Sequence, residues 1–358
     1  MKRLLYVVGT RPNFVKMAPV IAALRSRLPD ARHTIVHTGQ HYDRMMSEVF
    51  LEELGVPEPD HMLGVGSGSH AQQTARVIER LEPVLAEERP ELVVVPGDVN
   101  STLAAALAAA QAQVPLAHVE SGLRSFDRTM PEEINRQITD QLADLLFMHS
   151  DEAAENLRSE GIEEERMHMV GNTMIDTLVS LVPRFRAAGA ATGVGVEPGS
   201  YLLVTLHRPA LVDGPLLGAA MERLAEVADE LPVVFPVHPR TRKMLDGHGA
   251  EYRGVVLTDP VGYLDFLSLE ADARAVLTDS GGIQEETTFL GVPCFTLRAN
   301  TERPVTVRAG TNTVLGLDPE RIAEIPALLE AGAGAGGERP PLWDGHASER
   351  VADVIASC

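Results

Sequence analysis

Two acidic side chains follow apolar segments that are typical of buried strands. Asp98 comes directly after the segment LVVVPG (92–97), and Glu120 ends the segment Leu116–Glu120. In a parallel sheet both side chains would lie at the carboxyl ends of strands, where such sheets bind ligands. Carboxylates that converge raise one another's pKa, which suits removal and return of a proton. The sequence therefore predicts an acid/base site that contains Asp98 and Glu120.

A third acid, Glu132, follows Pro131 in the first turn of a predicted helix, a position that proline favours. Arg136 stands one turn later, on the same face of that helix. Glu132 is a further acid/base candidate. The structural alternative is a carboxylate stabilised by the helix dipole and by an ion pair with Arg136.

The turn after the first apolar segment has the residues that an anion-binding site requires. Gly9 ends that segment, and Arg11 and Lys16 follow it in sequence. Glycine-bearing turns between a first strand and a first helix bind phosphates in doubly wound folds. The G-x-G-x-x-G spacing is missing, so the sequence predicts no dinucleotide cofactor. An ordinary turn with surface cations is the alternative.

The segment TDSGGIQEE (278–286) indicates a second anion site. Ser280 is a favourable helix N-cap, and Gly281 and Gly282 would let a ligand approach the free backbone N–H groups. A diphosphate would fit there, and Glu286 would accept hydrogen bonds from ribose hydroxyls. The alternative is a capped helix with a surface acid.

Three further side chains are candidates with equally good structural explanations. His207 follows the apolar segment YLLVTL (201–206), His238 lies in PVHPR (236–240), and Arg303 offers another cation. The histidines lack zinc-ligand spacing and have no cysteine pair beside them, so the sequence predicts no metal site.

Composition excludes several classes of protein. The net charge of −20 argues against nucleic-acid binding, which requires clustered Lys and Arg. Cys294 and Cys358 are the only cysteines, so a disulfide framework is not expected. No run reaches the ~20 apolar residues of a membrane helix. We expect a cytoplasmic protein that does not bind a membrane.

These side chains are positioned by short apolar runs that alternate with helical patterns, which predicts an α/β fold with parallel, doubly wound sheets. The predicted strands form two series: Leu4–Gly9, Thr34–Gly39, Leu92–Gly97, Leu116–Glu120, Leu145–Ser150 and His168–Gly171, then Leu202–Leu206, Val233–Val237, Val255–Thr258, Ala275–Thr278 and Cys294–Leu297. The predicted helices of the first series are Pro19–Leu28, Gln72–Glu87, Ser101–Gln113 and Glu132–Leu142.

Two domains of ordinary size fit the 358 residues. We predict domains at 1–172 and 173–345. The low-complexity stretch AGAGAGG (331–337) is expected to be a flexible connector. The final segment, 347–358, is predicted to be a helix.

Long motifs resemble those of the non-hydrolysing UDP-N-acetylglucosamine 2-epimerases over nearly the whole chain up to about residue 325. The matching stretches are GTRPNFVKMAP (9–19), GDVNST (97–102), HVESGLRSFDRTMPEEINRQITDQLAD (118–144), VGNTMIDTL (170–178), TDSGGIQEE (278–286) and GVPCFTLRANTERP (291–304). The resemblance implies two Rossmann-like domains of the glycosyltransferase-B type, with the active site in the interdomain cleft and the final helix packed on the first domain. It also implies a homodimer.

The chemistry that the resemblance implies is reversible conversion of UDP-N-acetylglucosamine to UDP-N-acetylmannosamine without a cofactor. Loss of the C2 proton accompanies departure of UDP from C1, and re-addition of UDP to the 2-acetamidoglucal completes the inversion. By resemblance, Asp98, Glu120 and Glu132 are the acid/base carboxylates, and His207 stabilises the departing UDP. The residues matched to substrate binding are Arg11, Lys16, Arg136, Ser280, Gly281, Glu286 and Arg303, and those matched to a regulatory UDP-sugar site are Gln40 and His41.

Three other functions remain open at this point. A hydrolysing epimerase would release N-acetylmannosamine and UDP by using the same carboxylates. A UDP-sugar transferase can share the fold, although three acids in one site are not what transfer requires. A non-catalytic UDP-sugar sensor would have little reason to keep all three acids.

Overall fold

The computed structural model describes residues 2–39, 53–246 and 252–358. Its strands are β1 (Arg3–Val8), β2 (Arg32–His37), β3 (His61–Met62), β4 (Leu92–Pro96), β5 (Leu116–Val119), β6 (Leu145–Met148), β7 (Met167–Met169), β8 (Leu202–Thr205), β9 (Val233–Pro236), β10 (Val255–Thr258), β11 (Ala275–Thr278), β12 (Cys294–Thr296) and β13 (Asn312–Val314). Its α-helices are Arg11–Arg27, His70–Glu88, Asn100–Gln111, Pro131–Leu142, Asp151–Ser159, Thr173–Ala188, Ala190–Gly193, Pro209–Val212, Leu216–Val227, Pro239–Asp246, Tyr263–Ala271, Gly281–Leu290, Pro304–Arg308, Ile325–Glu330 and Ala347–Ser357.

The strands form two parallel sheets, and the predicted α/β fold is confirmed. The first sheet has the order β3-β2-β1-β4-β5-β6-β7, and the second has the order β10-β9-β8-β11-β12-β13. Strand order reverses beside β1 in the first sheet and beside β8 in the second. A reversal of this kind is the position where doubly wound sheets bind ligands. The fold is therefore two Rossmann-like domains of the glycosyltransferase-B type.

The chain divides into two compact units. The first unit comprises residues 1–179 and 341–358, and the second comprises residues 180–340. The chain leaves the first unit within the helix Thr173–Ala188 and returns to it at Pro341.

Aliphatic side chains fill both cores, as expected from a sequence with few aromatic residues. The single tryptophan, Trp343, is 2% exposed in the first unit. Its indole N–H donates to the carbonyl oxygen of His149 at 2.9 Å. This bond fixes the segment that leads into the last helix, since a buried indole N–H needs an acceptor. None of the helices that the structure describes is long and apolar enough to cross a membrane.

Two predictions about local structure are wrong. The first helix begins at Arg11 and not at Pro19, because Asn13 Oδ1 accepts from the Thr10 N–H at 3.3 Å and Pro12 lies in the first turn. Pro19 lies inside that helix. The stretch 331–337 is packed turn structure and not a free connector: a Cβ on Gly334 would lie 2.8 Å from the carbonyl oxygen of Thr311.

Asp176 fastens the C-terminal helix to the first unit. Its carboxylate accepts from the backbone N–H groups of Ala347 at 3.1 Å and Ser348 at 2.6 Å, and from the Ser348 hydroxyl at 2.6 Å. A side chain from another helix thus caps the N-terminus of Ala347–Ser357.

We predict that Asp176→Ala lowers the free energy of unfolding by about 1–3 kcal/mol, because it leaves buried donors unpaired. Urea denaturation measures this loss. Asp353→Ala is the control, since Asp353 pairs with Arg27 at the surface and removing such a pair changes stability little. Equal stability of Asp176→Ala and the parent protein would show that Asp176 does not hold this helix.

Candidate functional site

Asp98 and Glu120 lie just beyond the carboxyl ends of the neighbouring strands β4 and β5. The turn before Asp98 requires glycine. Gly97 has a φ of +63°, and a Cβ there would lie 3.2 Å from both Glu120 Oε2 and Lys16 Nζ. The Glu120 carboxylate therefore packs directly against the residue that precedes Asp98.

An arginine holds the Asp98 carboxylate. Arg136 donates to Asp98 Oδ2 from Nε at 3.0 Å and from Nη2 at 2.6 Å, and its Nη1 donates to Glu133 at 2.9 Å. Asn135 donates to the backbone carbonyl oxygen of Asp98 at 2.8 Å. Arg136 is 3% exposed, whereas the Asp98 side chain is 23% exposed. The helix Pro131–Leu142 thus fixes Asp98 while leaving part of its carboxylate accessible.

A buried lysine holds the Glu120 carboxylate. Lys16 lies in the helix Arg11–Arg27, and its ammonium group is in contact with Glu120 Oε2. Both residues are more than nine-tenths buried. A small pocket beside this pair is lined by these two residues and by Val119, Phe147, His149, Val170, Gly171, Asn172 and Thr173.

The two acids that follow Pro131 differ in their surroundings. Glu132 is half-buried in the first helical turn. Glu133, which the sequence did not single out, is fully buried and accepts from the Ser125 amide at 2.8 Å and its hydroxyl at 2.9 Å. Glu133 therefore anchors the preceding loop, and Glu132 is the acid left accessible to solvent.

The remaining candidates of the first unit lie at its edge or outside the described residues. Arg11 is exposed at the first position of its helix. Gln40 and His41, matched to a regulatory site, lie outside the residues that the structure describes.

In the second unit, His207 follows β8 and is held by a buried aspartate. Asp279 Oδ1 lies 3.2 Å from His207 Nδ1, and Asp279 Oδ2 accepts from the backbone N–H groups of His207 at 2.8 Å and Arg208 at 2.7 Å. Asp279 is 1% exposed, whereas the His207 side chain is 39% exposed. The rings of His207 and His238 are 5.8 Å apart, so the two histidines lie at one edge of the second sheet. Asp279 orients the exposed imidazole.

The helix Gly281–Leu290 begins at the position predicted, with Ser280 as its N-cap residue. The Ser280 hydroxyl makes no capping hydrogen bond within the described part of the chain. A Cβ on Gly281 would lie 2.4 Å from Nη1 of Arg303, so glycine is required there for the guanidinium to approach. Gly282 lies in the first turn. Arg303 also pairs with Glu285 at 2.9 Å. First-turn N–H groups beside a guanidinium form a strong anion site.

Glu286 is buried beside a second carboxyl group. The Tyr263 hydroxyl donates to Glu286 Oε1 at 2.8 Å. Burial, followed by the effect of the neighbouring Glu285, raises the pKa of Glu286 to about 7. Burial and the charge of Glu286 raise the pKa of Glu270 well above its usual range. Two carboxyl groups without a cation between them favour a shared proton.

Two doubly wound parallel sheets with polar side chains at their strand ends are typical of one class, the nucleotide-binding α/β enzymes. A family model described as UDP-N-acetylglucosamine 2-epimerase matches residues 23–356. The chain belongs to this UDP-N-acetylglucosamine 2-epimerase family.

Individual relatives cover almost all of the chain. It is 40% identical to the UDP-N-acetylglucosamine 2-epimerase of Methanocaldococcus jannaschii, over 99% of this chain and 98% of that protein. It is 41% identical to the UDP-2,3-diacetamido-2,3-dideoxy-D-glucuronate 2-epimerase of Pseudomonas aeruginosa, over 99% of both chains. The crystal structure of the M. jannaschii enzyme with UDP-GlcNAc and UDP matches with a TM-score of 0.90 and 38% identity, over 99% of this chain and 100% of that one.

We predict that Glu270→Gln makes stability less dependent on pH. The folded-state pKa of Glu270 is raised by burial and by the charge of Glu286, so its contribution to stability is complete below its unfolded pKa and is lost as pH rises. A glutamine at this position does not titrate, so this loss is removed. The free energy of unfolding, measured in urea at about pH 5.5 and 8, should fall less for the variant than for the parent protein.

Glu222→Gln is the control for this measurement, because Glu222 belongs to the same unit and its side chain is 70% exposed. That variant should show the pH dependence of the parent protein. A Glu270→Gln protein with the parent's pH dependence would contradict the coupling of Glu270 and Glu286.

Proposed function

We propose that the chain epimerises C2 of UDP-N-acetylglucosamine reversibly to UDP-N-acetylmannosamine. The observation that carries this proposal is the pair of carboxylates at adjacent strand ends, each held by its own cation, Asp98 by Arg136 and Glu120 by Lys16. Acid/base groups on separate supports suit a reaction that removes a proton and returns it. The relatives' names support the UDP-sugar as substrate.

In this reaction a carboxylate of the first unit removes the C2 proton as the bond from C1 to UDP breaks, which gives 2-acetamidoglucal and UDP. Protonation of C2 from the opposite side and re-addition of UDP to C1 complete the inversion. Asp98, Glu120 and Glu132 are the proposed acid/base groups. No redox change occurs, and no cofactor is needed to balance the reaction.

The second unit is proposed to bind and stabilise UDP. The N-terminus of the helix Gly281–Leu290 and Arg303 suit the diphosphate, since both offer donors to an anion. His207, oriented by Asp279, is the proposed group that stabilises UDP as it leaves, and His238 lies beside it. Glu286 is the proposed acceptor for the ribose hydroxyls. Arg11 and Lys16 are proposed cations for the substrate in the first unit.

The name of one relative supports a second UDP-sugar as the substrate. The P. aeruginosa relative at 41% identity is named for a UDP-2,3-diacetamido-2,3-dideoxy-D-glucuronate, which would react at the same carbon. The same carboxylates serve both sugars, so assaying the two substrates side by side decides between them.

We also propose that the enzyme is a cytoplasmic homodimer. Ile134 and Ile138 lie one turn apart on the helix Pro131–Leu142, and each is 38% exposed. An apolar strip of this kind supports contact between two copies of the chain. The two cysteines are free thiols, which suits a reducing compartment.

Incubation with UDP-N-acetylglucosamine in D₂O tests the reaction directly. We predict deuterium at C2 of intact UDP-sugars by proton NMR, and Asp98→Asn should lower this exchange at least ~100-fold while leaving UDP affinity nearly unchanged. Free N-acetylmannosamine with UDP would instead show a hydrolase. Unchanged substrate with the parent protein, or full exchange by Asp98→Asn, would contradict the proposal.

Gly281→Ala should weaken UDP binding by about tenfold or more, because the new methyl group displaces the Arg303 guanidinium from the helix terminus. Isothermal titration with UDP measures the change. Gly193→Ala is a matched control in the same unit, since a Cβ there meets nothing within 4 Å. Equal UDP affinity of the Gly281→Ala protein and the control would show that Gly281 and Arg303 do not take part in UDP binding.

A further inference from the structure

A buried set of charged side chains connects the turns that carry Asp98 and Glu120. His118 lies on β5, two residues before Glu120, and Asp140 lies in the helix Pro131–Leu142; both are 0% exposed. His118 Nδ1 lies 2.7 Å from Asp140 Oδ1, and His118 Nε2 lies 2.7 Å from the carbonyl oxygen of Gly97. That carbonyl belongs to the peptide that leads into Asp98.

The two ring nitrogens of His118 each lie 2.7 Å from an acceptor group, one from the Asp140 carboxylate and one from the Gly97 carbonyl oxygen. Burial acts to raise the pKa of Asp140, but hydrogen bonds and charge from His118 and Arg124 outweigh it and lower that pKa. The His118 ring thus lies between an ionised carboxylate and a backbone carbonyl oxygen.

The second oxygen of Asp140 holds the other turn. Asp140 Oδ2 accepts from the Gly122 N–H at 3.1 Å and from Arg124 Nη2 at 2.7 Å. Arg124 extends the set to Glu160 through contacts of 2.7 and 2.6 Å. One carboxylate therefore bonds to the histidine that fixes the turn before Asp98 and to the turn after Glu120.

The turn at Glu120 needs support from outside because the backbone of this residue is strained. Gly97, Glu120 and Gly122 have φ values of +63°, +69° and +80°. A non-glycine residue in the left-handed region is disfavoured, so Glu120 keeps this conformation only if its surroundings impose it.

We propose that His118 and Asp140 are positioning residues for the reaction. The His118 ring fixes the peptide before Asp98, and Asp140 fixes the peptide after Glu120, so the two carboxylates keep one relative placement. Neither residue touches substrate. The proposal rests on the proposed function for the reacting role of Asp98 and Glu120.

Two substitutions of His118 test its two hydrogen bonds one at a time, because each variant keeps only one of them. In His118→Asn the side-chain amide occupies the place of Nδ1 and still reaches Asp140, but it loses the Gly97 carbonyl. In His118→Gln the amide occupies the place of Nε2 and still reaches Gly97. We expect kcat for C2 exchange to fall ~100-fold in His118→Asn, with KM and UDP affinity within about twofold of the parent's, and to recover about tenfold in His118→Gln.

Asp144→Asn is the control for lost stability. Asp144 Oδ2 accepts from the Leu116 N–H at 2.8 Å, so it holds the opposite end of the same strand, β5. This variant should lower the free energy of unfolding without lowering kcat. Equal losses of kcat in Asp144→Asn and in both His118 variants would show general destabilisation and overturn the proposal.

Backbone amide hydrogen exchange, followed by mass spectrometry, gives a readout that does not depend on the substrate. Peptides that contain Gly97–Val99 should exchange faster in His118→Asn than in the parent protein, and those in Asp144→Asn should not. If the parent protein fails to incorporate deuterium at C2, the proposed function is wrong, and amide exchange still tests the positioning. Unchanged amide exchange in His118→Asn would overturn the proposal.

Discussion

The structure depends on keeping negative charge at the carboxyl ends of two adjacent buried strands. Taking a carboxylate out of water costs several kcal/mol unless a cation and hydrogen bonds compensate. Lys16 compensates Glu120, and Arg136 compensates Asp98. Lys16 comes from the helix that follows β1, and Arg136 comes from the helix that follows β5. The first sheet and its helices thus bring two acids and their counter-ions to one edge.

In the second unit a buried carboxylate is also compensated by neighbouring groups, but the groups left accessible are hydrogen-bond donors and not acids. Asp279, a buried carboxylate at the end of β11, orients the exposed His207 at the end of β8, and the helix terminus after Ser280 offers donors to an anion. The first unit therefore presents acids and the second presents groups that receive negative charge. A reaction that removes a proton and releases a diphosphate needs both kinds of group, each preorganised before substrate arrives.

Much of this arrangement could be predicted from the sequence, and the failures have physical causes. Alternating apolar runs predicted eleven strands but missed β3, which has only two residues, and β13, which has one apolar residue among its three. The exposed or half-buried candidates, such as Asp98 and His207, end apolar runs and stand out. The residues that hold the site in place are harder to predict from the sequence. Glu133 and Asp140 lie in a helix where acids normally face solvent, and only the tertiary contacts show that both are buried.

The buried ion pair of Lys16 and Glu120 is proposed to serve the reaction and not the stability of the fold. Lys16→Met combined with Glu120→Gln replaces it by a neutral pair of similar volume, which commonly leaves a protein as stable as before. The decisive measurement is the rate of C2 deuterium exchange in UDP-N-acetylglucosamine by this folded double variant. We expect exchange to be lost while the fold is kept. Exchange at the parent's rate would show that the reaction does not need this ion pair.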